Sequence, residues 1–451
     1  MFVIDALTRR PWCRPLGLAL GLAACSLGAQ AALPVQHWIQ PSGARVYLVE
    51  SPGIPMVDVQ IDFDGGSRRD PAAQAGLAAV TAALTSRGVR ASASGPALDE
   101  NALGEAWADL GASFGASASA DRLTFGLRSL TDPELLSRAA DLASRQLAEP
   151  SLPEAVWRRD RERLVASLKE ADTRPGTLAG KAFAEAVYGR HPYGQQMTAQ
   201  TLAAISVADM QAYLARSVQA CSARVSLVGA LNRAQADALT RQLLARLPAG
   251  PCQAQPAVPE VAALAAAREQ ALPFSSAQAH VLMGQPGIRR NDPDYFALLV
   301  GNYILGGGGF VSRLTSEVRE KRGLSYSVYS YFAPGLHAGA FTVGLQTRSD
   351  QTAEAVRVVR EVLTRYVAEG PTEAELQAAK DNLVGGFALR IDTNKKLLDN
   401  VANIAWNDLP LNYLDTWTQQ VEQVRLEDIR AALVRHLQPD RLVTVTVGAQ
   451  P

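Results

Sequence analysis

Few side chains in this 451-residue sequence have the type and spacing for acid–base, nucleophilic or metal chemistry. Of its five histidines, His37, His191, His280, His337 and His436, the nearest two in sequence are His280 and His337, 57 positions apart. A helix carries two imidazoles to one ion only when they are three or four residues apart, so the sequence holds no compact histidine zinc motif. His191, in Arg190-His191-Pro192-Tyr193, reads as a loop residue. No G-x-S-x-G turn presents a serine, and Cys221 has no neighbouring histidine to take its proton. Serine or cysteine nucleophilic hydrolysis therefore lacks support. The conspicuous groups are a cation and a phenol. Arg319 and Tyr326 lie seven positions apart in Glu317-Val318-Arg319-Glu320-Lys321-Arg322-Gly323-Leu324-Ser325-Tyr326. A guanidinium presents fixed N–H donors and stays charged, and a phenol can donate to a developing oxyanion. The plainer alternative pairs Arg319 with Glu317 or Glu320 and places Tyr326 in the core. Upstream stand Gly306, Gly307, Gly308 and Gly309. No Lys-Ser or Lys-Thr follows them, as a phosphate-cradling P-loop requires. A close-approach loop that touches peptide or partner fits the run better.

These groups are carried by a duplicated unit. Arg161-Glu162-Arg163-Leu164-Val165 recurs 219 positions later as Lys380-Asp381-Asn382-Leu383-Val384. At the same offset Glu154 maps on Glu373, Asp209 on Asp428, Arg216 on Arg435, and Val225–Ala230 on Thr444–Ala449. Several matches at one offset, in one order, argue for duplication. Alternation and β-branched residues predict strands at Arg45–Val49, Val57–Phe63, His280–Gly284, Leu123–Leu130 and Gly339–Gln346. Helical periodicity predicts helices at Gln74–Ser86, Asp294–Leu305, Pro133–Leu147, Pro153–Glu170, Gln351–Ala368 and Glu373–Leu389. Strands and helices mix without strict alternation, which predicts an α+β fold: two homologous lobes, each a mainly antiparallel sheet flanked by helices. The lobes are placed at residues 32–250 and 274–451, with an Ala/Pro-rich linker at 251–273. Gly323 permits a sharp exit from the Arg319 helix toward the strand that carries Tyr326.

The first 31 residues differ from the rest. Arg9, Arg10 and Arg14 precede the apolar run Leu16–Ala24, and Ala29-Gln30-Ala31 follows. This is the layout of a secretory signal peptide, expected to be removed after Ala31 to leave a periplasmic protein. The run is shorter than the roughly 20 residues a membrane-spanning helix needs. The alternative is a lipobox at Leu22-Ala23-Ala24-Cys25, with a lipid anchor on Cys25. Removal leaves 41 basic and 43 acidic residues, a balance that gives no reason to bind nucleic acid. It also leaves Cys221 and Cys252, which an oxidising compartment would allow to pair.

Two similar lobes behind a signal peptide, with strands before helices, resemble the pitrilysin/insulinase metallopeptidases, the inverzincins. The resemblance covers nearly the whole mature chain. It implies H-x-x-E-H on the first long helix of an active member: two histidines bind zinc, the glutamate between them is the base, and a later glutamate is the third ligand. The matching helix here reads Gly76-Leu77-Ala78-Ala79-Val80-Thr81-Ala82-Ala83-Leu84. The ligand positions are Ala79 and Ala83, the base position is Ala82, and the later ligand, seven residues after Glu162, is Lys169. The second-lobe segments around Gly306–Gly309, Arg319 and Tyr326 do look like the family signature. There the Arg and Tyr bind substrate backbone and help hold the tetrahedral intermediate. Some relatives divide the work between a zinc-bearing subunit and a zinc-less one. The resemblance therefore implies that this chain holds no cofactor and pairs as a heterodimer with a zinc-binding homologue. It would grip peptide substrate in an enclosed chamber without being catalytic alone. The rival is a non-enzymatic peptide-binding or scaffold protein.

Overall fold

The structure, a computed structural model, describes residues 34–248 and 250–449. The export segment read at residues 1–31, with Cys13 and Cys25, lies outside the described residues.

The strand Met56–Phe63 shows how the sequence builds the first lobe. Val57, Val59, Ile61 and Phe63 alternate with Asp58, Gln60 and Asp62, and the apolar set is at most 1% exposed. The strand lies inside a six-stranded sheet, in the order Gln36–Ile39, Arg45–Glu50, Arg224–Gly229, Met56–Phe63, Leu123–Leu130, Ser113–Ala118. All neighbours are antiparallel except Arg45–Glu50 with Arg224–Gly229. The second lobe holds a five-stranded sheet, in the order Val328–Phe332, Ala340–Arg348, Gln278–Pro286, Val443–Val447, Arg268–Leu272. Here too one pair is parallel, Val443–Val447 with Arg268–Leu272. Reversed, this order reproduces the first sheet without Gln36–Ile39. The fold is α+β, with two homologous lobes.

The 219-residue offset holds for helices. Val207–Ser217 corresponds to Leu426–His436, and Glu154–Ala171 begins where Glu373–Gly385 does. Asp209 and Asp428 recur for one reason: each accepts the backbone N–H three residues earlier, from Ser206 at 2.8 Å and Arg425 at 2.9 Å. That contact satisfies a donor the helix start leaves open.

The repeat-related helices Pro175–Tyr188 and Asn394–Trp406 are exchanged between lobes. Ala179, Phe183 and Val187 of the first are buried against Val443, Val445 and Val447 of the second sheet. The Tyr188 hydroxyl accepts from the Ala340 N–H at 2.9 Å. In return Asn394–Trp406 packs on Arg224–Gly229 and Met56–Phe63 of the first sheet, and Arg224 donates to the Trp406 carbonyl at 2.6 Å. Each sheet is thus covered on its second face by a helix of the opposite lobe. The covered polar face of the first sheet is neutralised by Arg128 on Asp58 (2.7 Å) and Arg122 on Asp62 (3.2 Å).

The stretch read as a linker differs from that expectation at its end and along its length. Arg268–Leu272, inside 251–273, is a strand of the second sheet. Earlier residues are fastened down because extended Pro-rich backbone leaves carbonyls open to donors. Arg69 donates to the Pro256 carbonyl, and His191 Nε2 lies 3.0 Å from that of Pro259. Cys221 and Cys252 form a disulfide, with Cα atoms 5.7 Å apart. No helix among the described residues is long and apolar enough to cross a membrane.

Candidate functional site

Arg319 sits in a helical turn, Thr315–Glu320, that widens to a π-helix. Gly323 ends this segment with φ +63, in the left-handed region that favours glycine. Its N–H donates to the Arg319 carbonyl at 2.8 Å, and that of Leu324 to the Val318 carbonyl at 2.9 Å. The chain then reverses. Ser325 Oγ, 2.7 Å from the Gln346 carbonyl, pins the turn to the sheet. Tyr326 is left pointing outward, 83% exposed, so it is no core residue.

The cations around Arg319 are all engaged. Arg313 donates to both Glu375 oxygens at 2.7 Å. Lys321 and Arg322 each donate to Glu317 at 2.7 Å, and Arg365 stands 3.6 Å from it. Hydrogen bonds from Lys321 and Arg322 hold the Glu317 carboxyl at about 2. Glu317 is therefore saturated and unavailable to Arg319. Of the four cations from Arg313 to Arg322, Arg319 alone has no carboxylate partner among the described residues. Its guanidinium lies instead between two rings, 4.7 Å from the centroids of both Phe310 and Tyr326. Phe310 is 68% exposed. A planar cation between two aromatic faces is oriented without being neutralised, and its edge donors stay free. Sequence reading missed Phe310, because the contact depends on the path of the loop after Gly309. Its one legible sign was an aromatic residue directly after a glycine run.

Three of the four glycines make their close approach to the chain itself. A Cβ on Gly306 would collide with Ser330 and Leu314. One on Gly307 would lie 2.9 Å from Asn302 Nδ2, and one on Gly308 would lie 2.8 Å from the Tyr303 carbonyl oxygen. This run covers the outer side of the edge strand Val328–Phe332, where Asn302 Nδ2 donates to the Ser330 carbonyl at 3.0 Å. The tip, Gly309 to Val311, is exposed along its whole length, and of the three glycines before it only Gly307 is exposed. The expectation of a glycine loop that touches peptide or partner is thereby narrowed to that tip.

The first lobe presents a different surface. Asp70 accepts from the Gly76 N–H at 2.9 Å and the Ala78 N–H at 3.0 Å, at the start of the helix Leu77–Leu84. Burial pushes the Asp70 carboxyl up to about 6 against those hydrogen bonds. Ala79 is half-buried and Ala83 exposed, one turn apart on this helix, while Ala82 is buried. Lys169 is exposed on Glu154–Ala171. Methyl groups offer no lone pair and an ammonium repels a cation, so these residues do not fit a zinc ion. Elsewhere among the described residues, Asp292, Asp294 and His436 come within ligating distance of one another. Arg435 already donates to both Asp294 oxygens, at 2.7 and 2.8 Å, and His436 Nε2 lies 2.8 Å from Asp294. That cluster is an ion-pair network. His191 packs its ring 5.2 Å from that of His337, where the lobes meet.

Comparison with known proteins agrees with this geometry. Residues 204–383 match the family described as peptidase M16 inactive domain. The crystal structure of a peptidase M16 inactive domain from Pseudomonas fluorescens superposes with a TM-score of 0.86 at 34% identity, over 92% of this chain and 98% of that one. A Helicobacter pylori protein named as the non-peptidase homolog YmxG is 25% identical over 433 residues, 94% of this chain and 96% of its own length. An uncharacterized zinc protease of Streptomyces coelicolor is 26% identical over 283 residues, 60% of each chain. Two repeated lobes, an alanine-bearing first helix and these similarities together establish that the chain belongs to the peptidase M16 family, as a zinc-less member.

Proposed function

We propose that this chain is the substrate-gripping subunit of a heterodimeric zinc metallopeptidase. Its partner is a homologue with an intact H-x-x-E-H helix, which supplies the zinc, the water and the base. This chain supplies Arg319 and Tyr326, and the two subunits enclose the peptide between them. One observation carries the reading: Arg319 is held between Phe310 and Tyr326 with no carboxylate partner among the described residues. A half-buried guanidinium with free donors suits a peptide carbonyl or a developing oxyanion. We also propose that residues 1–31 export the chain to the periplasm or, through Cys25, anchor it as a lipoprotein. The Cys221–Cys252 disulfide supports an oxidising compartment.

The test is Arg319→Ala in a mixture with the zinc-bearing partner. Turnover of a quenched peptide should fall about 100-fold, as for loss of one oxyanion donor. The complex should still assemble on a sizing column. The name of the Helicobacter pylori relative favours a second reading, a non-enzymatic peptide-binding or scaffold protein. Undiminished turnover in the Arg319→Ala mixture would favour that reading.

A further inference from the structure

Beside Tyr326 opens a cleft of about 710 Å³, between the exchanged helix Pro175–Tyr188 and the second sheet. That volume is in the range of sites that take small molecules or side chains. One wall is made of Gly176, Ala179 and Gly180. The other is aromatic. Tyr329 and Tyr331 stack on the edge strand with centroids 6.0 Å apart, and each is more than two-fifths exposed. His280 also lines the cleft and has no hydrogen-bond partner among the described residues. Among the described residues no Asp, Glu, Lys or Arg lines it.

The duplication supplies a control. The repeat-related cleft under Asn394–Trp406 is lined by Asp58, Arg122, Arg128, Lys395 and Asp399. At the 219-residue offset, Gly176, Ala179 and Gly180 correspond to Lys395, Leu398 and Asp399. One scaffold thus carries a charged wall in one lobe and a stripped, neutral one in the other. Glycine inside a helix is less favourable than alanine. The two positions differ in what they leave open. A Cβ at Gly176 would meet His280 Nδ1 at 3.2 Å, whereas one at Gly180 would meet nothing within 4 Å. Packing within the chain therefore does not require glycine at 180. The space beside Gly180 is open to the cleft.

We propose that this cleft is a pocket for aromatic or large apolar side chains of the peptide substrate, contiguous with Arg319 through Tyr326. The proposal rests on the reading of the chain as a peptide-gripping subunit. It adds a substrate class: segments with exposed aromatic residues, as in unfolded chains. Tyrosine faces and a neutral imidazole favour such side chains, and an uncharged wall offers nothing to an ionic one.

The test uses the full chain and fluorescein-labelled Gly/Ser decapeptides with a central Phe-Phe or Asn-Asn pair, followed by anisotropy. Both peptides carry the same charge. The Phe-Phe peptide should bind at least tenfold more tightly. Gly180→Leu, which fills the open space, should erase the difference, and Gly180→Ala should keep it. A preference that survives Gly180→Leu would overturn the pocket. So would equal binding of both peptides that Arg319→Ala weakens alike, and in that case the gripping role would stand. If neither peptide binds the chain alone or mixed with its partner, both readings fall.

Discussion

A guanidinium without a carboxylate keeps its full charge for a group outside the chain, and Arg319 is in that state among the described residues: the adjacent Glu320 is exposed and forms no ion pair with it, and the other nearby acids are taken. Glu317 is taken by Lys321 and Arg322, and Glu375 by Arg313. The sequence offered Glu317 and Glu320 as partners for Arg319 on equal terms, since adjacency along a helix does not say which cation wins. In the first lobe the telling residue is Asp70, which caps the alanine-bearing helix from a buried position. Its folded pKa, raised to about 6, lies above the unfolded value. The folded state thus holds the proton more tightly. The stabilisation this gives is complete below about pH 4 and is lost as pH rises through about 6. Asp70→Asn keeps an acceptor but cannot titrate. Denaturant melts of the two proteins should show their stability difference changing by about 2 kcal/mol between pH 4 and pH 7. A difference that stays flat would mean that folding leaves the Asp70 pKa unshifted.

Strands and long helices were legible because their periods are short-range properties. Leu123–Leu130 was read to the residue, and Pro133–Ala148 to within one. What alternation in Met56–Phe63 could not reveal is that its polar face is also covered, since Asp58 and Asp62 are paired with arginines beneath a helix from the other lobe. The helix Pro175–Tyr188 was not read at all. Its glycines at 176 and 180 weaken the helical pattern, and only the opposite sheet accounts for its apolar face. The strand Arg268–Leu272 was missed because four of its five residues are exposed, so it carries little apolar signal and forms by parallel pairing at the sheet edge. The disulfide fastens the start of the strap that leads to this strand. With Cys221 and Cys252 separated by 31 positions, chain entropy predicts that their replacement by serine costs about 4 kcal/mol. A thermal melt of the double variant against the oxidised protein measures this. Equal melting temperatures would show the strap to be held by its hydrogen bonds alone.

At the scale of the whole molecule, the duplication explains both what is lost and what is kept. Two copies of one unit exchange helices, so neither lobe covers its sheet unaided, and the lobes stay together whatever becomes of a site on one of them. Ala79, Ala82, Ala83 and Lys169 are compatible with an intact fold because helix packing does not need histidine or glutamate there. The absence of ligands was legible residue by residue. The arrangement around Arg319 was legible only as a spacing, since Phe310 and the aromatic cleft depend on how distant segments meet. The measurement that bears most directly on the central claim is metal content with peptide cleavage, for the purified chain alone and mixed with a homologue that carries H-x-x-E-H. The account predicts no stoichiometric zinc and no cleavage for the chain alone, and cleavage in the mixture well above that of the homologue by itself. Zinc-dependent cleavage by the chain alone would contradict it.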